Sequence, residues 1–209
     1  MFKFYKFYFL ILVSSLIACG NLRSSNDLIN VSKQPHSPQN IQAGIGTASI
    51  HLGQTSDEII EHLGKPMNIM VGSTRSNGCY DKSLQWFEKR TDGSLEDGNG
   101  IMAYLKRNIV TEIYFSSPKY KTSSGIAFGS LLNDLDSSMK SLPVQILTRS
   151  SSEATNGQNQ RFVISEKDGV AFEIETAEKV SGIYIFEPNT AFQPNGCLGS
   201  DQILVKDES

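Results

Sequence analysis

The sequence predicts an α+β fold in which two tandem units, each a helix followed by antiparallel strands, form one curved sheet with the helices on one face. The first observation is an internal duplication: residues 50–53 are similar to residues 126–129, and residues 110–118 are similar to residues 180–188. The second is that a helical pattern follows the first segment in each pair. Features that return in the same order imply two copies of one supersecondary unit.

The first unit is expected over residues 46–120 and opens with a helix. Thr55 and Glu58 have the spacing of a capping box, in which each side chain binds the backbone N–H of the other residue. Ile59 and Leu63 share one helical face, and a Gly-x-Pro sequence directly afterwards favours the end of the helix. Strand-like runs follow near residues 84–90, 101–107 and 110–116.

The second unit is expected over residues 121–209. Its helix is predicted at about 130–142 and ends before Pro143, because proline disfavours a helical conformation in the residue before it. A turn of Lys, Asp and Gly at residues 167–169 is typical of a hairpin. Strands are predicted near residues 144–149, 160–167, 169–176 and 181–187.

Residues 1–18 have the features of a bacterial lipoprotein signal peptide. Two lysines precede an apolar run over residues 7–17, which is too short to span a bilayer as a helix. Residues 16–19, Leu-Ile-Ala-Cys, match a lipobox, so Cys19 is the predicted site of lipid attachment. The alternative is an ordinary secretory signal with a chance cysteine, but no A-x-A cleavage site follows.

Residues 19–45 are predicted to be the lipidated cysteine and a flexible tether, because they are rich in Ser, Asn, Gln and Pro and lack periodicity. Acyl chains on Cys19 would anchor the protein in a lipid bilayer, and several chains together give a stable anchor. Gly20, rather than an aspartate, follows the cysteine. In enterobacteria this favours sorting to the outer membrane, which is therefore the expected location.

Charge and cysteine content restrict the partners further. The formal net charge is −3 at pH 7 and there is no basic patch, which argues against nucleic acid as a partner. Cys79 and Cys197 remain once Cys19 carries lipid, and in an exported protein two such thiols are expected to pair. No histidine lies near either cysteine in the sequence, so a metal site is not predicted there. No cofactor is predicted either.

A family resemblance rests on residues 52–66, which combine Leu-Gly-x-Thr with Leu-Gly-x-Pro, and on Trp86 in the strand that follows. This order of motifs resembles the BamE family (SmpA/OmlA type) of outer-membrane assembly lipoproteins. The duplication is similar to the tandem architecture of β-lactamase inhibitory protein. The resemblance covers residues 50–118, with residues 126–188 as a degraded second copy, and implies helices packed on one face of a sheet. A shared fold does not by itself decide function.

The function predicted from the sequence is binding rather than catalysis. No nucleophile elbow, zinc-protease motif or phosphate loop is present, so the protein is not expected to be an enzyme. Tyr104, Tyr114, Tyr184 and Phe186 are predicted to point away from the helices, because alternate residues of a strand face opposite sides. Such rings form a docking surface for an envelope protein, unless strand propensity alone explains them or a loop covers them.

Two functional hypotheses follow. The first is a membrane-anchored, non-enzymatic module that binds an envelope protein. The alternative, suggested by the tandem architecture, is an inhibitor of an exported hydrolase such as a β-lactamase or a lysozyme.

Overall fold

A nine-stranded antiparallel sheet forms most of the computed structural model, which describes residues 39–72, 79–89, 95–149, 160–175, 177–197 and 202–206. The predicted signal peptide, Cys19 and the tether up to residue 38 lie outside these ranges. The elements are β1 (Asn40–Ile41), α1 (Ser56–Leu63), β2 (Asn68–Val71), β3 (Lys82–Lys89), β4 (Leu95–Lys106), β5 (Ile109–Phe115), β6 (Lys121–Thr122), α2 (Ser137–Lys140), β7 (Val144–Arg149), β8 (Gln160–Ser165), β9 (Val170–Ile174), β10 (Val180–Phe186) and β11 (Gln202–Lys206).

The order of strands in the main sheet is β11-β7-β8-β9-β10-β5-β4-β3-β2, so β2 and β11 are its edges. Strands β2 to β5 form one antiparallel meander and β7 to β10 form a second. They meet where β5 pairs with β10, with Tyr114 opposite Tyr184. A separate two-stranded parallel sheet joins β1 to β6.

The predicted α+β class with two helix-plus-strand units is wrong, because the protein is mostly β. The first half has a helix of eight residues, α1. Where the second helix was expected, at 130–142, there is a 3₁₀ turn at Leu132–Asp134 and then the four residues of α2. The main sheet is therefore not covered by two equivalent helices.

Local hydrogen bonding explains why the second helix fails to form. The carboxylate of Asp134 accepts the backbone N–H of Leu131, and that of Asp136 accepts the N–H of Met139. Asp, Asn and Ser side chains compete in this way with the helical backbone and favour caps and turns. A helix can then start only after Asp136, and Pro143 lies too close for it to continue.

The first helix forms as the capping motif predicts. Thr55 accepts the N–H of Glu58, and the Glu58 carboxylate accepts the N–H of Thr55, at 2.7 Å. The helix ends at Leu63, and Gly64 adopts a positive φ of 79°. Nε1 of Trp86 donates to the carbonyl oxygen of Gly64, at 2.9 Å, and so fixes the end of α1 over β3.

The main core lies on the side of the sheet that carries α1, which we call the helix face. Alternate residues of the strands point to this side, and they pack against α1 and the segments that connect the strands. Ile41, which the sequence analysis assigned to the tether, is also part of this core and is 2 % exposed. The largest fully buried aliphatic side chains there are Ile50, Ile59, Leu84, Leu105, Ile113, Leu135, Ile183 and Ile185.

Both halves contain the same β-bulge. Tyr104 pairs with Glu112 and Leu105 pairs with Val110, which leaves Thr111 as the extra residue of β5. In the second half Glu173 pairs with Gly182 and Ile174 with Val180, which leaves Ser181 as the extra residue of β10. Each bulge rotates the strand so that positions 112 and 182 both lie on the face opposite the helix. Glu112 directs its side chain to that face, and Gly182 leaves space there.

Candidate functional site

The structure places most of the predicted docking residues inside the protein. Tyr104, Tyr184 and Phe186 are 4 %, 1 % and 4 % exposed, and Tyr114 is half-buried. They lie on the face opposite the helix, as their alternation predicted. Residues 187–197, which we call the C-terminal cover, supply side chains that pack on this face. The covering loop that the sequence left open as an alternative is therefore present, and these rings do not form an exposed surface.

Phe192 holds the C-terminal cover in place. Its ring packs against Phe162, Tyr184 and Phe186, with centroid distances of 5.3, 5.2 and 5.2 Å. Such edge-to-face and tilted pairs are favourable beyond the area they bury. The hydroxyl of Tyr184 also donates to the side-chain oxygen of Asn195, at 3.1 Å.

The predicted disulfide between Cys79 and Cys197 is confirmed, with a Cα–Cα distance of 5.3 Å. It links the end of the C-terminal cover to the residues just before β3. Disulfides of this kind persist in oxidising compartments, so the protein belongs to the cell envelope or the secreted space. In the part of the chain that the structure describes, no helix has the length and apolar character needed to cross a membrane.

Beneath the C-terminal cover lies a cluster of tyrosines and carboxyl groups. The Tyr114 hydroxyl donates to Glu173, at 2.9 Å, and Glu173 also accepts Nε2 of Gln160, at 2.9 Å. Burial raises the pKa of Tyr114, Tyr104 and Tyr184, and nearby carboxylates raise it further. These phenols therefore remain protonated, and Tyr114 and Tyr184 act as hydrogen-bond donors.

Glu112 is the most deeply buried carboxyl group of this cluster. Its carboxyl group accepts the backbone N–H of Gly196, at 2.7 Å, and its side chain is almost fully buried. Burial raises the pKa of Glu112 well above its usual range, while the hydrogen bond from Gly196 acts in the opposite direction. Among the described residues, no lysine or arginine forms an ion pair with it.

A cavity of about 330 Å³ borders Glu112. The β4–β5 hairpin forms one wall, and the C-terminal cover and its disulfide form the other. Polar and charged side chains make up most of the lining, and Phe186 and Ala191 are its apolar part. The lining residues are Cys79, Lys106, Thr111, Glu112, Phe186, Glu187, Thr190, Ala191, Gln193 and Gly196.

Two glycines allow the close packing around this cluster. A Cβ atom on Gly182 would overlap Cε2 of Tyr114, so the ring occupies the space that a side chain would need. Gly196 has a positive φ of 75°, and a Cβ there would lie 2.6 Å from Cδ1 of Tyr104. The sequence analysis did not identify Glu112, Gly182 or Gly196. Glu112 could have been noticed in the sequence, because it is an acid within the apolar pattern of β5.

A second candidate site is the outer edge of β2. Met67, Ile69, Met70 and Val71 are 44 %, 55 %, 48 % and 81 % exposed. Within the described residues only β3 pairs with this strand, so its other edge presents unpaired backbone groups. Exposed apolar residues on an unpaired edge are typical of a place where another strand is added.

Metal binding finds no support in the described ranges, where no three His, Cys, Asp or Glu side chains come close enough to hold an ion. His51 and His62 instead make local contacts. Nδ1 of His51 lies 3.0 Å from the carbonyl oxygen of Leu52, and Nδ1 of His62 lies 3.5 Å from Nε2 of Gln54.

The fold and the disulfide define the class of the protein as an envelope or secreted β-protein with a covered sheet face. No protein-family model matches the chain, and neither does any curated protein. Several solved structures, among them the three that follow, are similar to it at low identity. The uncharacterized protein YfeY from Escherichia coli is 14 % identical, with a TM-score of 0.42, and the match covers 72 % of this chain and 100 % of YfeY.

The other two structures come from larger proteins. An extracellular protein containing an SCP domain from Bacillus anthracis is 11 % identical over 69 % of this chain, with a TM-score of 0.41. A cysteine-rich secretory protein from Staphylococcus aureus is 12 % identical over 74 %, with a TM-score of 0.40. The chain spans about half the length of each of these two, at 51 % and 50 %.

Proposed function

We propose that the protein is a lipid-anchored, non-enzymatic module of the bacterial envelope that binds an extended segment of a partner protein along β2. The observation that carries this proposal is the exposure of all four residues of β2 at the edge of the sheet. An added strand would gain main-chain hydrogen bonds from the unpaired edge, and its side chains would contact Ile69, Met70 and Val71.

The chemistry of β2 distinguishes it from the other edge. Its sequence, Asn-Ile-Met-Val, contains none of the charged or proline residues that natural proteins use to protect edge strands. β11 also exposes apolar side chains, Ile203 and Val205, but it carries Lys206 at its end. A charge of this kind discourages the addition of another strand, so β2 is the better docking site.

The size of the edge favours a short segment of a partner over a second copy of the chain. Four residues extend over about 14 Å at the usual rise of a strand. Such an edge buries far less than the roughly 1,200 Å² of a stable protein–protein interface. Anchoring through Cys19 would compensate, because it confines the protein to the membrane of its partner and raises their effective concentration.

Site-specific photo-cross-linking in native envelopes tests this proposal. A photo-reactive amino acid would replace Met70 on β2 and, as the matched control, Val205 on β11. We expect a cross-link from position 70 to one envelope protein, mapped to an extended segment, and its loss when Val71→Lys is added. Val205→Lys should leave the cross-link from position 70 intact.

Three outcomes would contradict the proposal. Cross-links from position 70 only to the same chain would show self-association or an intramolecular occupant. Cross-links to a secreted hydrolase, together with its inhibition, would favour the inhibitor hypothesis instead. Equal cross-linking from both edges would show that β2 has no special role. The lipid anchor is tested separately, because Cys19→Ser should abolish labelling by an alkyne fatty acid.

A further inference from the structure

We infer that the cavity beside Glu112 binds a small organic cation, with a primary ammonium group on Glu112 and a short apolar body against Phe186 and Ala191. This site is independent of the β2 edge and lies under the C-terminal cover. Its volume of about 330 Å³ is at the lower end of the range for small-molecule pockets.

The two halves of the sheet provide an internal comparison. Glu112 and Gly182 occupy the same position after the same bulge. In the second half, the ring of Tyr114 fills the space above Gly182, and its hydroxyl binds the neighbouring Glu173. The first half instead places a carboxyl group at this position, next to a cavity. The bulge itself therefore does not require an acid at this position.

A buried carboxyl group with one hydrogen bond is costly unless a further partner stabilises it. Gly196 supplies the single hydrogen bond that Glu112 receives among the described residues. A carboxylate can accept about four hydrogen bonds, so Glu112, which lines the cavity, can accept further donors. A ligand ammonium placed there would supply both donors and the opposite charge.

The ionisable groups of the lining favour a cation over an anion once Glu112 gives up its proton. Two acids, Glu112 and Glu187, line the cavity, against one base, Lys106. Lys106 is exposed and forms no ion pair with either acid in the described part of the chain. Glu112 in turn raises the pKa of the phenols of Tyr104 on β4 and Tyr184 on β10, so both phenols stay neutral beside it.

Binding would release one proton. Without a ligand, burial keeps Glu112 protonated over a wider pH range than an exposed carboxyl group. When the ammonium enters, the carboxylic acid loses its proton to solvent, and the carboxylate and the ammonium form an ion pair. No covalent bond to the ligand is made or broken, and the amine remains protonated throughout.

The test uses n-butylammonium chloride as the probe, with 1-butanol as its neutral analogue, on the full chain in detergent. Because the N–H of Gly196 donates to Glu112, its amide resonance reports directly on the carboxyl group. We expect n-butylammonium, but not 1-butanol, to shift this resonance in a saturable manner. Calorimetry in two buffers that differ in ionisation enthalpy should show release of about one proton below the pKa of Glu112.

Two variants distinguish a specific site from general attraction of cations. Glu112→Gln keeps an oxygen that can accept the Gly196 N–H, and should weaken binding at least about ten-fold, as expected for loss of a hydrogen bond to a charged group. Glu187→Gln should retain proton release. The inference is overturned if 1-butanol binds as well as n-butylammonium, if Glu112→Gln binds equally well, or if the Gly196 resonance of the folded wild type does not respond.

Discussion

The packing of Tyr114 on Gly182 predicts that Gly182→Ala changes stability with opposite signs in two backgrounds. An added Cβ would overlap Cε2 of the tyrosine and lie 2.5 Å from both Cζ and Oη. The three nearest atoms thus all belong to one ring, which must move. Overpacking of this kind costs about 1–3 kcal/mol. In a chain of this size the melting temperature should fall by about 2–4 °C per kcal/mol.

Tyr114→Leu provides the second background, because leucine lacks the Cε2, Cζ and Oη atoms that cause the overlap. Without the overlap, alanine is preferred over glycine in the middle of a strand by about 0.5–1 kcal/mol. Gly182→Ala should therefore stabilise the Tyr114→Leu protein by roughly this amount. The sign of the effect reverses between the two backgrounds.

Urea unfolding of the four proteins, followed by the fluorescence of Trp86, measures the double-mutant cycle. Coupling energies between contacting residues are about 0.5–3 kcal/mol, so the expected difference is well within reach. The packing assignment would be refuted if Gly182→Ala had the same effect in both backgrounds. A neutral effect in the wild type would show that the ring of Tyr114 does not occupy this space.

Three further predictions follow from single contacts. Replacing Cys79 and Cys197 by serine should lower the free energy of unfolding by about 2–5 kcal/mol, because the bridge closes a loop of 118 residues. Urea unfolding measures this change. An unchanged free energy would show that the bridge does not constrain the unfolded chain. Burial raises the pKa of Glu112 in the folded state, so above pH 4.5 the unfolded state loses this proton more readily than the folded state. The wild type should therefore lose stability as the pH rises, and the free energy of unfolding of Glu112→Gln should increase relative to that of the wild type. A difference that does not depend on pH would contradict the burial of Glu112. Thr55→Ala removes the N-cap of α1 and should cost about 1 kcal/mol in thermal unfolding, whereas Thr55→Ser should cost less.

Local motifs were the part of the fold that the sequence predicted well. The capping box at Thr55 satisfies two backbone N–H groups within four residues, so no tertiary information is needed to place it. The duplicated strand pattern also located β5 and β10 to within about a residue. The second helix failed because Asp136 adopts the extended conformation of an N-cap in the middle of the predicted segment, so a new helix begins there and Pro143 soon follows.

The candidate sites depended on tertiary contacts that no local pattern contains. Alternation correctly placed Tyr104, Tyr114, Tyr184 and Phe186 on the face opposite the helix. Their burial depends on residues 187–197, which have neither helical nor strand periodicity and so give no indication of where they pack. The disulfide could be predicted from the compartment and the number of cysteines. Only the structure shows that it fixes residues 187–197 over the rings.

The burial of the aromatic face implies that packing and partner recognition involve different residues, although the sequence analysis assigned both to the same tyrosines. Tyr114 and Tyr184 pair across the junction of the two halves, with ring centroids 4.5 Å apart, so their replacement should affect stability rather than recognition. Partner recognition should therefore depend on residues that do not hold the core of the sheet together. The side chains of β2 satisfy this condition because solvent already surrounds them. The carboxyl group of Glu112 is buried and contacts the C-terminal cover, but the sheet forms without an acid at the equivalent position of the second half, which is glycine. Substitutions at these two places should therefore alter binding while the sheet stays intact.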